Sequence, residues 1–148
     1  MQTLYAPSRT ALAVYELFNP LPLGFFVAAW IFDILYIKTA QIMWTDAASW
    51  LIAFGLLLAI LPRIINLVQV WITQRHYVSR AEKIAFWLWL VAIVVAIVDA
   101  FVHSRDAWAV VPLGVILSTG VVVLLLIAHV QLAMRTRLWS GEKNNDNA

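Results

Sequence analysis

The sequence predicts an all-α integral membrane protein: a four-transmembrane-helix antiparallel bundle with both termini in the cytoplasm. Three observations carry this expectation. Four apolar stretches, near residues 21–38, 47–72, 84–102 and 107–134, occupy most of the 148 residues. Only 12% of the chain is charged and the mean hydropathy is +0.86, whereas about 25% of an ordinary soluble domain is charged. The bases also divide unevenly. Arg9, Arg75, Arg80, Lys83, Arg135, Arg137 and Lys143 fall on one side of the stretches, and Lys38 and Arg105 on the other. The positive-inside rule makes the first side cytoplasmic and the chain a multi-pass membrane protein.

A hydrocarbon core about 30 Å thick is crossed by roughly 20 helical residues at 1.5 Å each. Lipid offers the backbone no hydrogen bonds, so each stretch must close its own N–H and C=O groups as a helix. These stretches are too long for barrel strands.

Ahead of the first span, Ser8 to Phe18 sets Leu12, Tyr15 and Phe18 on one face. That pattern suits a short interfacial helix or an irregular lead-in equally. The run Ala11 to Tyr15 is too short for a signal-peptide core, and no cleaved signal is expected. The first span opens after Asn19 with Pro20 and Pro22, where a missing N–H costs least. The second carries Pro62, which predicts a bend. Thr73 to Lys83 forms the basic loop, and His103 to Asp106 a tight turn into the fourth span. Such short links imply antiparallel neighbours. Residues 1–139 form one domain in this reading, and the polar tail 140–148 is expected to be disordered.

Charge inside a span costs about 2.5 to 3.5 kcal/mol on insertion scales, so the exceptions are the candidate functional positions: Asp33, Arg63, Asn66, Asp99 and His129. They form two levels. Toward the outer end, Asp33 and Asp99 are placed to meet Lys38, His103 or Arg105; toward the inner end lie Arg63, Asn66 and His129. Helical spacing puts Ala92, Ala96, Asp99 and His103 on one face, Gly55, Ala59, Arg63 and Asn66 on another, and Ala29 with Asp33 on a third. Small residues at that spacing mark close helix contacts, so the polar groups are expected to face inward. The competing structural readings are paired carboxylates, a snorkelling Arg63 and a packing His129.

Several chemistries find no support in the residues. Cys is absent, which excludes thiolate catalysis, disulfides and Cys-based clusters. A bis-His haem b needs two imidazoles at one depth, but only His129 lies within a span, with His76 and His103 toward opposite ends. No His-x-x-x-His or Glu-x-x-His spacing occurs, so no metal ligand set is read. Ser118 and Thr119 stand in an apolar helix without a nucleophile elbow. No catalytic residue or cofactor is expected, and with a net charge of +2 the partners expected are membrane lipids rather than nucleic acid.

The segments NPLPLGFFVAAWIFDILY, Asn19 to Tyr36, and AASWLIAFGLLLAILPRIINLVQVW, Ala47 to Trp71, resemble the bacterial membrane family called domain of unknown function 2231. Asp33 and the Gly55-Leu56-Leu57 run fit its pattern of a late Asp in the first helix and a Gly-Leu-rich second helix. Asn19 stands where the family has an entrance His, Asn66 where it often has Asp, and the third helix lacks the family's early His. The resemblance implies a four-helix inner-membrane protein associated with periplasmic oxidoreductases.

The leading functional expectation is therefore a non-catalytic scaffold or accessory subunit that binds itself, as a homo-oligomer, or an envelope oxidoreductase. The alternatives are a haem- or quinone-linked electron-transfer subunit for a periplasmic dehydrogenase, and a small channel or proton-coupled carrier.

Overall fold

The computed structural model describes the backbone of residues 20–68, 80–105 and 107–146, with side chains described except at 61–63, 65–68, 81–82, 107–108 and 135–146. The interfacial segment before Asn19 and most of the basic loop lie outside the described residues. The elements are α1 (Leu21–Thr39), α2 (Ile42–Val68), α3 (Arg80–His103), α4 (Ala107–Val110) and α5 (Leu113–Asp146). Four of them are long and apolar enough to cross a membrane, with spans at Leu21–Thr39, Ile42–Ile60, Lys83–His103 and Leu113–Met134. No strand occurs among the described residues.

α1 packs against α2 and α5, and α3 packs against α5 and α2, which closes a four-membered ring. The inward seam repeats every three or four residues in every helix. It runs through Pro22, Phe26, Ala29, Asp33 and Tyr36 on α1, and Thr45, Ala48, Ile52, Gly55 and Ala59 on α2. On α3 it runs through Ala85, Trp89, Ala92, Ala96, Asp99 and His103, and on α5 through Gly114, Ser118, Val121, Leu125 and Ala128. This is knobs-into-holes spacing, and its small side chains let the backbones approach. At Gly55 an added Cβ would stand 3.1 Å from Phe26 Cε1 and 3.3 Å from Phe25 Cβ, so the missing side chain seats the Phe26 ring. Large apolar groups point outward instead: Trp50 is 66% exposed and Phe101 70%, as expected of a surface solvated by acyl chains.

The element boundaries depart from hydropathy in three places, each for a backbone reason. α2 starts at Ile42, five residues before the expected apolar stretch, because polar residues such as Thr45 and Asp46 are tolerated near a helix N-terminus. Only Ala40 and Gln41 link it to α1. Ala40 takes a left-handed conformation (φ 53°), and its N–H donates to Tyr36 O at 2.8 Å, terminating α1. The stretch 107–134 is not one helix. Val111 and Pro112 form a turn between α4 and α5, because proline clashes with the carbonyl four residues back and disfavours helical geometry in the residue before it. At Pro62, by contrast, helical backbone continues to Val68. Finally, α5 is helical to Asp146, through most of the tail 140–148 expected to be disordered; helical hydrogen bonds are local, and no proline interrupts them there.

Candidate functional site

Three ionisable side chains converge where α3 ends. Asp99 and His103 are one helical turn apart on its inner face, and Asp33 reaches them from α1, six residues before that helix ends. His103 Nε2 lies 2.8 Å from Asp33 Oδ1, with the imidazole side chain fully buried and the Asp33 side chain 2% exposed. His103 Nδ1 lies 3.0 Å from the Asp99 carbonyl oxygen, one turn back. A carbonyl only accepts, so this contact places a proton on Nδ1 and leaves Nε2 as the atom that faces Asp33.

The carboxylates are less well satisfied than the imidazole. Asp33 Oδ2 and Asp99 Oδ1 are both buried without a hydrogen-bond partner. Asp99 Oδ1 approaches Nδ1 to 3.2 Å, an ion-pair distance, but the Nδ1 proton is directed at the carbonyl, so the contact is electrostatic rather than a hydrogen bond. Buried polar atoms are seldom left unpaired, and two of them here belong to adjacent acids. Ligand atoms from Asp33, Asp99 and His103 all lie within 4.8 Å of one another.

Gly114, at the start of α5, makes room for this arrangement. A Cβ there would stand 2.6 Å from Val110 Cγ1 and 3.1 Å from His103 Cε1, so only a glycine lets α5 lie against the imidazole. The turn at Val111 and Pro112 sets Val110 and Gly114 around that ring.

Away from the cluster, Trp44 Nε1 and Thr45 Oγ1 are also buried without hydrogen-bond partners, whereas Trp30, Thr119 and His129 spend their polar groups on packing. Trp30 Nε1 donates to Thr119 Oγ1 at 2.8 Å, tying α1 to α5, while the same hydroxyl donates to Val115 O. His129 bonds its own helix through Nδ1 and Leu125 O at 2.8 Å, and its ring centroid lies 5.6 Å from that of Trp89.

Of the five candidate positions, the structure brings Asp33 and Asp99 together. His129 stands apart from them on α5, and the side chains of Arg63 and Asn66 lie outside the described residues. Lys38 and Arg105 are exposed, so among the proposed basic partners it is His103 that meets both acids. His103 was not among the candidates because hydropathy leaves it at a span boundary. The Asp99-x-x-x-His103 spacing, one turn on a small-residue face, was the available signal. Gly114 left none, since its role depends on a contact across helices.

Four membrane-length helices in a ring, two of which build a buried acid–imidazole–acid cluster, define a polytopic helical membrane protein. The chain belongs to the family described as predicted membrane protein (DUF2231), which matches residues 17–136. No curated protein matches the chain. No solved structure matches it either.

Proposed function

We propose that the protein is a non-catalytic scaffold or accessory subunit of the bacterial inner membrane, assembling with itself or with an envelope protein such as an oxidoreductase. In this reading its four spans alternate in direction, both termini are cytoplasmic, and the Asp33–His103–Asp99 cluster lies toward the outer face. One observation supports it above others: the distribution of buried polarity. Among the described residues, the buried polar side chains are Asp33, Thr45, Asp99, His103 and Ser118. All five lie within six residues of the end of α1 or α3, or of the start of α2 or α5. Beyond them the seam is filled by Ile52, Ala59, Trp89, Ala96, Leu125 and Ala128. A conducting path needs polar groups through the membrane midplane, whereas the buried polar side chains of the described residues gather near these helix ends, where the Asp33–His103 contact ties α1 to α3.

In-membrane photocrosslinking tests the reading, with a photoreactive phenylalanine analogue at the outward positions Trp50, Trp87 and Phe101. A scaffold gives a discrete protein adduct, to itself or to one envelope protein, from a contiguous subset of positions. Adducts to lipid alone at all three, or proton or cation flux in liposomes that Asp33→Asn abolishes, contradict it.

A further inference from the structure

We propose that Asp33, Asp99 and His103 form a binding site for one divalent first-row metal ion, zinc in the first place, near the end of α3. The inference goes beyond scaffolding and does not depend on it. Three features of the cluster support it.

The first is the tautomer. A metal-binding histidine commonly donates its second ring N–H to a carbonyl or carboxylate, which fixes the ring and leaves the other nitrogen free to ligate. His103 has this arrangement: Nδ1 donates to Asp99 O at 3.0 Å, and Nε2 points at the Asp33 carboxylate. The second is the pair of unpartnered oxygens. Asp33 Oδ2 and Asp99 Oδ1 are buried without hydrogen-bond partners, on residues 2% and 1% exposed. An ion among the three side chains gives Asp33 Oδ2 a partner, and Asp99 Oδ1 a stronger one than its 3.2 Å contact with Nδ1.

The third is charge. Metal binding releases the proton that Nε2 and Asp33 share, and the two ionised carboxylates and neutral imidazole left behind carry a net charge of −2, which a divalent cation cancels in a site the bilayer makes costly for unbalanced charge. The donor set decides the class. One imidazole nitrogen with carboxylate oxygens suits zinc, iron(II), manganese or cobalt, and the absence of thiolate or thioether argues against copper(I). Three protein donors leave a fourth tetrahedral position for water.

The 2.8 Å between Nε2 and Oδ1 is the separation of a shared proton. Two ligands about 2.1 Å from a tetrahedral ion stand about 3.4 Å apart, so loading widens this pair by a rotamer-scale shift. One donor atom from each of the three residues lies within 4.8 Å of the other two, and Asp99 Oδ1, now 3.2 Å from Nδ1, turns toward the Nε2 side on loading.

Cobalt(II) is the probe. Full-length protein is purified in detergent, stripped with a chelator, and titrated with Co²⁺ under visible spectroscopy, then with Zn²⁺ in competition. The expected result is one Co²⁺ per chain with ligand-field bands, displaced by one Zn²⁺. Losing an outer-shell partner already costs 10–100-fold in metal affinity, so Asp33→Asn and His103→Gln are each expected to weaken binding more than about a hundredfold. Thr119→Val, away from the cluster, is expected to bind as wild type. The proposal is overturned if monodisperse wild-type protein binds no stoichiometric Co²⁺, which would leave a proton-sharing cluster only. It is equally overturned if the site variants bind as wild type does. The wild-type titration decides even if a variant fails to fold, and Asp99→Asn, which keeps the Asp33–His103 contact, gives a further variant with an expected loss of binding.

Discussion

A double-mutant cycle on Asp33 and His103 measures how strongly the cluster fastens α1 to α3. The substitutions Asp33→Asn and His103→Gln preserve side-chain size while removing the ion pair, alone and together. Breaking a buried pair by deleting one partner costs about 3 to 5 kcal/mol in soluble proteins. Interhelical hydrogen bonds in membranes average only about 0.6 kcal/mol and reach about 1.7, because opened helices find substitute partners. Two features place this pair at or above the upper membrane value. The contact is short, at 2.8 Å, with side chains 0% and 2% exposed, and it joins ionisable rather than neutral groups. Against that, Asp33 lies six residues before the end of α1, about 9 Å at 1.5 Å per residue, so in the opened state it regains interfacial water. The expected coupling is about 1.5 to 2 kcal/mol, a ten- to thirtyfold change in the unfolding equilibrium. The assay is reversible SDS unfolding in mixed micelles, followed by the fluorescence of the eight tryptophans. Single effects that add to within about 0.5 kcal/mol would show that the contact carries no cohesion.

Other expectations concern the packing around the cluster. Gly114→Ala forces a Cβ against Val110 Cγ1 at 2.6 Å; Val110 is stiff and 2% exposed, so the helices must part, at a cost of about 1 to 3 kcal/mol in the same unfolding assay. Trp30→Phe removes the donor to Thr119 Oγ1 and is expected to cost about 0.6 to 1.7 kcal/mol. Thr119→Val on that background should then cost little more, whereas full additivity would mean the bond is not made. Leu125→Ala, at a side chain with 0% exposure, should cost about 2 to 5 kcal/mol. Ile116→Ala, on the outward face at 60% exposure, should leave the midpoint almost unchanged, and equal effects would put the seam on the wrong face of α5.

The seam was legible in the sequence by an inverted rule. In a soluble helix the apolar residues mark the core, but here every face is apolar and the contrast lies in size and polarity. Ala92, Ala96 and Asp99 share the buried face of α3, while Val91, Val94 and Val98 face outward. The inward orientation of Asp33 and Asp99 follows from that pattern, since a carboxylate is less costly inside the bundle than against acyl chains. Hydropathy concealed the local backbone rules. Pro112 splits the fourth apolar stretch although its neighbours are valine and leucine, and Trp44, Thr45 and Asp46 belong to α2 although they read as a connection. The cluster itself was half visible. The Asp99–His103 spacing is a property of one helix, but the approach of Asp33 depends on how α1 meets α3, and the space for the imidazole on a glycine eleven residues beyond it. Neither is encoded in any single helix.

Cysteine accessibility tests most directly whether four alternating crossings carry this cluster at the outer end. The chain has no cysteine of its own, so Gln41→Cys, Ser104→Cys and Arg80→Cys, all at exposed positions, can each be probed alone with a membrane-impermeant maleimide. The account predicts labelling of the variants at 41 and 104 in cells with a permeabilised outer membrane and an intact inner membrane. The variant at 80 should react only after the inner membrane is opened. Labelling of all three from outside, or of the variant at 80 together with either of the others, would contradict it.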